Sequence, residues 1–532
     1  MSSLVNELTL LQEREGWLSE AGLRELAERL RLPLHRLESV STFFTHFRRT
    51  PPKPVQIDVC RDLSCALAGG SAARARLEAA LAGRDDVEIR EVSCLGRCDA
   101  APAAAMGHRV LALDRTREVV QGIERGEEEP EPRRVRRWGA AELYARPEER
   151  WGTLRAALSG GRSTLAKTLE ASGLRGMGGA GFPTGRKWSL VAGEAATPKY
   201  VICNADESEP GTFKDREILH DLPHLVIEGM ALAAFCVGAE RGFVFIRHEY
   251  EPERRAVLAA IREARAAGAL GRAIFGSELH FDVELFVSPG GYILGEETAL
   301  LECMEDRRGE PRNKPPFPGT VGLWNRPTLM NNVETFVHAT AILGKGLDWW
   351  RGLGKPGFAG HKFIAVSGDV AEPGVQLVPF GTTLGELLTR CGGMRGGRRL
   401  AAIAPGGASS NFLPPDRLDV AIDFQTLSDA GSMLGSGAVI FVAEGHDLLE
   451  VGLNVTRFFR NESCGKCVPC RVGSEKAVKL VEAAGFVSPQ TRQVLEELHA
   501  TLGRTSICGL GQVALGPLLS ILRNFPDRVA KE

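Results

Sequence analysis

The 532-residue sequence predicts an α/β and α+β multidomain protein, on three observations. Between about residues 151 and 355, strand and helix patterns alternate as βαβαβ, the order of a Rossmann-like layered domain. Eight of the twelve cysteines fall into two groups of four, one near the N-terminus and one in a helical C-terminal segment. The stretch Gly173 to Trp188 carries glycine at six of its sixteen positions, a density that costs backbone entropy and is hard to justify as scaffold alone.

Bulk properties narrow the field. The chain is too long for one core, so three or four domains are expected. A hydrophobic share of 43% and a charged share of 25% are those of an ordinary soluble protein. The formal net charge of −2 argues against nucleic acid or an anionic membrane as main partner. No apolar run reaches membrane-spanning length, and residues 1–20, with Glu7, Glu13 and Glu15, lack a signal-peptide pattern. Arg48-Arg49 and Arg133-Arg134 lie too deep for an export signal, so a cytoplasmic location without direct membrane insertion is expected. Cysteines in a reducing compartment need an explanation other than disulfides. Cys203, Cys236, Cys303 and Cys391 stand alone and read as small buried hydrophobes.

Residues 1–50 are expected to form a helical unit. Leu23, Leu26, Ala27 and Leu30 follow helical spacing, Pro33 breaks it, and a second helix runs through Leu34, Leu37 and Val40. In 51–123, a strand at Val55 to Val59 delivers Cys60, a helix spans Ser71 to Ala82, and a strand at Val87 to Val92 precedes Cys94. A further strand is expected at Arg109 to Leu113. Cys60-x4-Cys65 and Cys94-x3-Cys98 thus sit after neighbouring strands, where four thiolates can converge. An iron–sulfur cluster, a zinc site and inert thiols all remain open, although zinc favours C-x2-C knuckles and four thiolates suffice for [2Fe–2S]. Residues 124–150 form the linker: Glu124 to Arg137 is a solvated charged run, and Trp138 to Arg150 leads into the next domain.

Domain 151–355 opens on a helix at Ser163 to Ser172 and then the glycine stretch. Its amides before a helix, with Arg175, Arg186 and Lys187 beside them, suit an anionic ligand, and a phosphate cradle is the reading preferred over a flexible loop. The strand Tyr200 to Cys203 runs into Asn204, Asp206, Glu207 and Glu209, acids that suit a solvated loop, a hard-metal site or the hydroxyls and ring N–H groups of a nucleotide. A helix at Ile218 to Ala234, a strand at Gly242 to Ile246, a helix at Arg255 to Ala267 and a strand at Phe281 to Val287 follow. Gly295, Glu296 and Glu297 open a helix, where acids are also ordinary stabilisers. Lys314 and Phe317 stand in a Pro-stiffened loop that can present a cation and a stacking ring, and Asn331-Asn332 reads as a turn or helix cap.

Unit 356–447 is a compact α+β domain with strands at Phe363 to Asp369, Gly374 to Pro379 and Val439 to Ala443 and a helix at Leu384 to Arg390. It shows no catalytic constellation, so packing or docking is its expected role. Segment 448–532 is helical and opens on Cys464-x2-Cys467-x2-Cys470, with Cys508 further on. Three thiols at x2 gaps and a distant fourth match the wrapping of a [4Fe–4S] cube; zinc prefers two separated pairs.

The motifs RGMGGAGFPTGRKW, CNADESEPGTFKDR, GEETALLE, KPPFPGTVGLW, NNVET and ESCGKCVPCRVG occur in the order of the flavin- and NADH-binding subunit of respiratory complex I. The sequence resembles that family over about 150–532. Its first 120 residues resemble the small thioredoxin-like [2Fe–2S] component of the same enzyme, here joined in front. Such fusions are typical of diaphorase (beta) subunits of NAD-dependent formate dehydrogenases and NAD-reducing hydrogenases. The resemblance implies an N-terminal helical plus thioredoxin-like region, a Rossmann-like FMN/NAD domain, a ubiquitin-like SLBB domain and a C-terminal [4Fe–4S] helical bundle.

By motif position it implies FMN against Gly176, Gly178 and Lys187, with Asn204, Asp206, Glu296, Asn331 and Asn332 around it. Glu207 and Gly295 belong to the same cofactor-binding motifs. NAD(H) would stack over the flavin with help from Phe182, Lys314 and Phe317, and from Glu209 and Glu297, the expected catalytic pair. Cys464, Cys467, Cys470 and Cys508 would hold [4Fe–4S]; Cys60, Cys65, Cys94 and Cys98 would hold [2Fe–2S]. Three residues depart from complex I: Met177 for Arg, Leu190 for Phe and Leu294 for Cys. Met177 is more in keeping with the formate dehydrogenase or hydrogenase branch, and Leu190 leaves the stacking of adenine open.

The implied activity is that of an NADH/NAD+ diaphorase, most like the beta subunit of a Mo/W-dependent formate dehydrogenase. NAD-reducing hydrogenase and NADH:quinone oxidoreductase are the alternatives, and a non-catalytic electron-relay subunit or a zinc-stabilised binding module the readings from other classes. No formate- or hydrogen-activating centre is present in the sequence. A catalytic partner subunit carrying further iron–sulfur clusters, with a Mo/W-pterin centre in the preferred case, is therefore expected, with NAD(H) as small-molecule substrate.

Overall fold

A computed structural model describes residues 3–125, 136–139 and 149–529. Of the expected linker, residues 126–135 and 140–148 lie outside the described residues.

The N-terminal unit holds the two expected helices, Glu20–Leu30 and Leu34–Ser41, and a third ahead of them, Leu4–Glu15. Leu4, Leu8 and Leu11 bury one stripe of that first helix, and the Ser3 side chain caps it by accepting the Asn6 N–H. Strands β1 (Val55–Cys60), β2 (Val87–Val92), β3 (Ala103–Met106) and β4 (Arg109–Ala112) form a sheet in the order β2-β1-β3-β4. Only β1 and β2 are parallel. Strand β3 escapes sequence analysis because Ala-Ala-Ala-Met has little strand propensity.

The central sheet comprises β5 (Tyr200–Ala205), β6 (Arg241–Arg247), β7 (Asp282–Ser288) and β8 (Thr328–Asn332), all parallel, in the order β7-β6-β5-β8. Successive strands run outward from β5, then β8 returns to its other side. The strand order therefore reverses between β5 and β8, and ligands of α/β sheets bind outside the carboxyl ends at such a switch point. Asn204 and Asn332 are register partners there.

The single helix expected at Ile218 to Ala234 is two helices, Lys214–Asp221 and Pro223–Val237, bent by 91°. Pro223 explains the break: it fits the first turn of a helix and cannot continue one. Among the described residues no single helix is long and apolar enough to cross a membrane.

Strands β9 (His361–Gly368), β10 (Gly374–Pro379), β11 (Leu400–Ala404) and β12 (Ala438–Ala443) make a third sheet, ordered β10-β9-β12-β11. The C-terminal segment is helical, with Leu448–Asn461, Val468–Ala484, Pro489–Thr505 and Gly516–Asn524 as its main helices.

The domains share cores. One apolar cluster joins Trp188 and Phe336 of the central domain to Phe363 and Val439 of the third sheet. Another joins Leu8 and Leu26 of the N-terminal helices to Ile202 and Phe245 on the central sheet and to Leu453 and Leu518 of the C-terminal helices.

Candidate functional site

The glycine stretch forms a tight loop ahead of the helix Thr184–Gly193. Gly176 N–H donates to Phe182 O at 2.8 Å, Thr184 N–H to Leu174 O at 2.9 Å, and Arg175 Nε to Gly181 O at 2.6 Å. Gly179 at φ 126° and Gly181 at φ 62° adopt backbone that side chains resist. Gly178 lies against Asn332, so close that a Cβ would come within 2.9 Å of that residue's Cβ. Gly185 serves a different end: a Cβ there would sit 2.3 Å from Glu170 N, so it lets two helices pack rather than cradling a ligand.

The acidic turn after β5 divides its work. Asn204 Nδ2 donates to Gly295 O at 3.0 Å, joining this turn to the Gly295-Glu296-Glu297 segment. Asp206 is buried, and among the described residues neither carboxylate oxygen has a hydrogen-bond partner, although the Ser288 and Ser208 hydroxyls lie close enough to temper its rise. Burial pushes its carboxyl up to about 7. Glu207 is already spent. It accepts the N–H of Asp215 (2.8 Å) and Arg216 (3.1 Å) and the Tyr250 hydroxyl (3.0 Å), capping the helix Lys214–Asp221. Burial raises Glu209 to about 7, and its Oε1 accepts two bonds from Ser409.

Glu296 caps the helix Glu297–Met304 through Oε2 and accepts Lys314 Nζ on Oε1 at 2.8 Å. Lys314 also reaches Glu297 at 3.1 Å, and Lys187 Nζ stands 3.9 Å from the other oxygen of Glu297. Burial opposes the Lys314 charge, but the two carboxylates outweigh it and hold its ammonium above the ordinary lysine range. Lys187 has a weaker counter-charge and burial lowers it. Asn331 Oδ1 accepts from Trp188 Nε1 (2.9 Å), and Asn332 caps the helix Val333–Lys345 while donating to Asp215 (2.6 Å). Phe182 and Phe317 keep rings 40% and 60% exposed, against a background of buried phenylalanines. Met177 and Leu294 are buried, and Leu190 is exposed.

Two parts of the site had no sequence signal. Ser409 arrives from the third sheet's domain, 200 residues from Glu209. Beneath the glycine loop lies a fully buried charge network: Glu334 pairs with Lys214 (2.9 Å) and Lys362 (2.7 Å) and accepts the Phe363 N–H (2.9 Å), while Lys214 pairs with Asp215 (2.7 Å). Lys362 also donates to Met177 O at 3.4 Å, and Met177 N–H donates to Thr335 Oγ1 at 2.9 Å. The loop's backbone is thus pinned on both sides. A 3.6-residue or two-residue period cannot announce such long-range pairs.

Both cysteine groups converge. Cys60, Cys65, Cys94 and Cys98 are buried, with the Cys94 and Cys98 sulfurs 3.6 Å apart and Cys60 beside Cys65 and Cys94. Backbone N–H groups of Gly96, Ala103 and Gly211 point at Cys94, Cys65 and Cys98 from 3.4, 3.4 and 3.3 Å, donors that suit thiolates. Gly211 belongs to the turn that follows β5, so this group abuts the central domain. Cys470 lies beside Cys464 and Cys467, and Gly511, three residues after Cys508, would bring a Cβ to 3.0 Å from Cys470 Cβ. Burial pushes the Cys470 and Cys508 thiols up to about 11 and 12. Among the described residues no three His, Cys, Asp or Glu side chains surround a single-ion position.

Comparison with known proteins separates these possibilities. Four family models match: a thioredoxin-like [2Fe-2S] ferredoxin over 1–125, a Nuo51 FMN-binding domain over 169–341, an SLBB domain over 363–411 and an NADH-ubiquinone oxidoreductase-F iron–sulfur binding region over 450–532. The expected multidomain fold class, with thioredoxin-like [2Fe–2S], FMN-binding, SLBB and C-terminal iron–sulfur regions, is borne out. The F 2 component of NADH-quinone oxidoreductase from Rhizobium meliloti (strain 1021) is 43% identical over 364 residues, covering 68% of this chain and 86% of its own. The HndC component of NADP-reducing hydrogenase from Solidesulfovibrio fructosivorans is 41% identical, covering 68% and 74%. A chain in the crystal structure of air-oxidized NAD+-reducing [NiFe]-hydrogenase superposes with a TM-score of 0.85 at 31% identity, covering 98% of this chain and 92% of that one.

Proposed function

The chain belongs to the family of FMN- and NADH-binding iron–sulfur subunits of complex I and NAD-reducing hydrogenases, and on that premise we propose that it is the diaphorase module of a larger oxidoreductase, exchanging hydride with NAD(H) and single electrons with a partner subunit. Bound FMN supplies the conversion between a two-electron hydride and one-electron clusters, and the protein supplies orientation and electrostatics.

The observation that carries this reading is Asp206. A buried carboxylate with two unpaired oxygens at a switch point is costly unless a ligand supplies donors, and the hydroxyls and ring N–H groups of a flavin nucleotide do so. FMN would lie against Gly176, Gly178 and Lys187, and Asn204, Asn331 and Asn332 would shape the wall behind it. Glu296, Glu297 and Lys314 would fix the neighbouring NAD(H), and the exposed Phe182 and Phe317 rings would cover its bases. Glu209, on the opposite lip, would orient the nicotinamide. Glu207 supports the fold of this turn through its helix cap. Cys60, Cys65, Cys94 and Cys98 would ligate [2Fe–2S], and Cys464, Cys467, Cys470 and Cys508 would ligate [4Fe–4S].

The full chain, loaded with FMN and clusters, is expected to reduce ferricyanide with NADH and to quench flavin absorbance on NADH addition. Flavin-loaded protein that does neither would refute the assignment. A Mo/W-dependent formate dehydrogenase remains the partner proposed from the sequence, and Met177 fits that branch and the hydrogenase branch alike. End-to-end similarity to the [NiFe]-hydrogenase chain favours a second reading, in which the partner splits hydrogen. Metal analysis of the copurified complex decides: molybdenum or tungsten supports the first, nickel the second.

A further inference from the structure

The third sheet's domain reaches the cleft through the turn Gly406 to Ser410, between β11 and β12. Gly406 N–H donates to Ser410 Oγ at 3.0 Å and Gly407 N–H to Ala438 O at 2.8 Å, which closes the turn on itself and on β12. Ala408 N–H donates to Pro210 O at 3.2 Å, and Thr212 Oγ1 meets Ser436 Oγ at 2.6 Å, so the same domain grips the acidic turn at two further points. Ser409 N–H (2.9 Å) and Ser409 Oγ (2.5 Å) both donate to Oε1 of Glu209. Gly407, at φ 86°, is shaped around that carboxylate: a Cβ there would fall 2.7 Å from Oε1. Among the described residues Oε2 of Glu209 makes no hydrogen bond, and the side chain is only partly buried.

Two donors on one oxygen fix both the position and the plane of a carboxylate. The second oxygen is then presented in one direction as a fixed acceptor. A general interdomain tie needs none of this: Ala408 and Thr212 already provide one, and neither uses Glu209. We propose that Ser409 is a positioning residue for NAD(H), holding Oε1 of Glu209 so that Oε2 accepts from the carboxamide N–H of the nicotinamide. The SLBB domain is then a working wall of the dinucleotide site. The inference rests on the reading of Glu209 as part of that site.

The test uses the full, FMN-loaded, oxidised chain and its Ser409→Ala, Ser409→Thr and Glu209→Gln variants. NAD+ binding is read by isothermal titration calorimetry, KM and kcat by NADH:ferricyanide turnover, and flavin content by absorbance. Loss of the hydroxyl bond is expected to raise the Kd for NAD+ and the KM for NADH together by about fivefold with a smaller change in kcat, as for an interaction made in ground and transition states alike. Ser409→Thr, which keeps the hydroxyl, is expected to restore both, and flavin content to stay at the wild-type level. If Ser409→Ala binds NAD+ as wild type while Glu209→Gln binds it more weakly, the positioning role is overturned and the reading of Glu209 stands. If Glu209→Gln also binds as wild type, the reading of Glu209 itself falls. Loss of flavin from Ser409→Ala, or failure of Thr to restore binding, likewise overturns the assignment.

Discussion

Replacing Asp206 by Asn separates what an unpaired carboxylate costs the fold from what it gives the ligand. An aspartate in an unfolded chain titrates near 3.9, and burial moves this one to about 7. A folded-state value above the unfolded one means that the folded protein binds the extra proton. The group's contribution to stability is therefore complete below about pH 4 and lost as the pH rises through 7. Three units correspond to about 4 kcal/mol. That is a ceiling, because relaxation of the surroundings and entry of water reduce the cost of a buried charge once it ionises. In flavin-free protein at pH 8, Asp206→Asn is accordingly expected to be more stable than wild type by about 2–4 kcal/mol, and at pH 4 nearly equal to it. For a domain of this size that is a thermal shift of roughly 4–16 °C, followed by calorimetry at the two pH values. With FMN present the order reverses, since an amide replaces two acceptor oxygens with one: flavin affinity is expected to fall at least about tenfold. A variant less stable than wild type at pH 8 without flavin would show that the carboxylate is already satisfied by protein, and the case for a ligand there would collapse.

Glu334→Gln leaves Lys214 and Lys362 buried with Asp215 alone, and breaking such a pair costs about 3–5 kcal/mol. Adding Lys362→Met should recover much of the loss, and chemical denaturation showing simple additivity would deny that Glu334 and Lys362 act together. Phe317→Ala is expected to raise the KM for NADH by about twofold to tenfold with kcat nearly unchanged, the worth of one stacked ring; steady-state kinetics with an unchanged KM would remove Phe317 from the site. Cys98→Ser should abolish the electron paramagnetic resonance signal of the two-iron cluster while leaving that of the four-iron cluster, and loss of both signals would contradict separate ligand sets.

What sequence reveals here is what is local. The C-x2-C-x2-C run, the glycine loop and the strands β5, β6 and β7 each carry their signal within a dozen residues, and each is found where expected. The kink at Leu222 was within reach, because Pro223 marks it. Strand β3 was not, since three alanines fit any secondary structure. Lys362, Glu334 and Ser409 were hidden for a deeper reason: a lysine, a glutamate and a serine are ordinary surface residues until the fold brings distant segments together. Glu207 and Gly185 show the converse. Both stand inside ligand-binding motifs, yet one caps a helix and the other lets two helices touch.

One carboxylate has a consequence for how the molecule can be built. Glu462, two residues before Cys464, takes the Ser93 hydroxyl on one oxygen and the Tyr292 N–H on the other at 2.8 Å. Ser93 immediately precedes Cys94, so a single side chain laces both metal-binding segments to the nucleotide domain. The two cysteine groups are then held in place by this lacing and by the Gly211 N–H on Cys98, contacts that lie outside the stretch between residues 125 and 149.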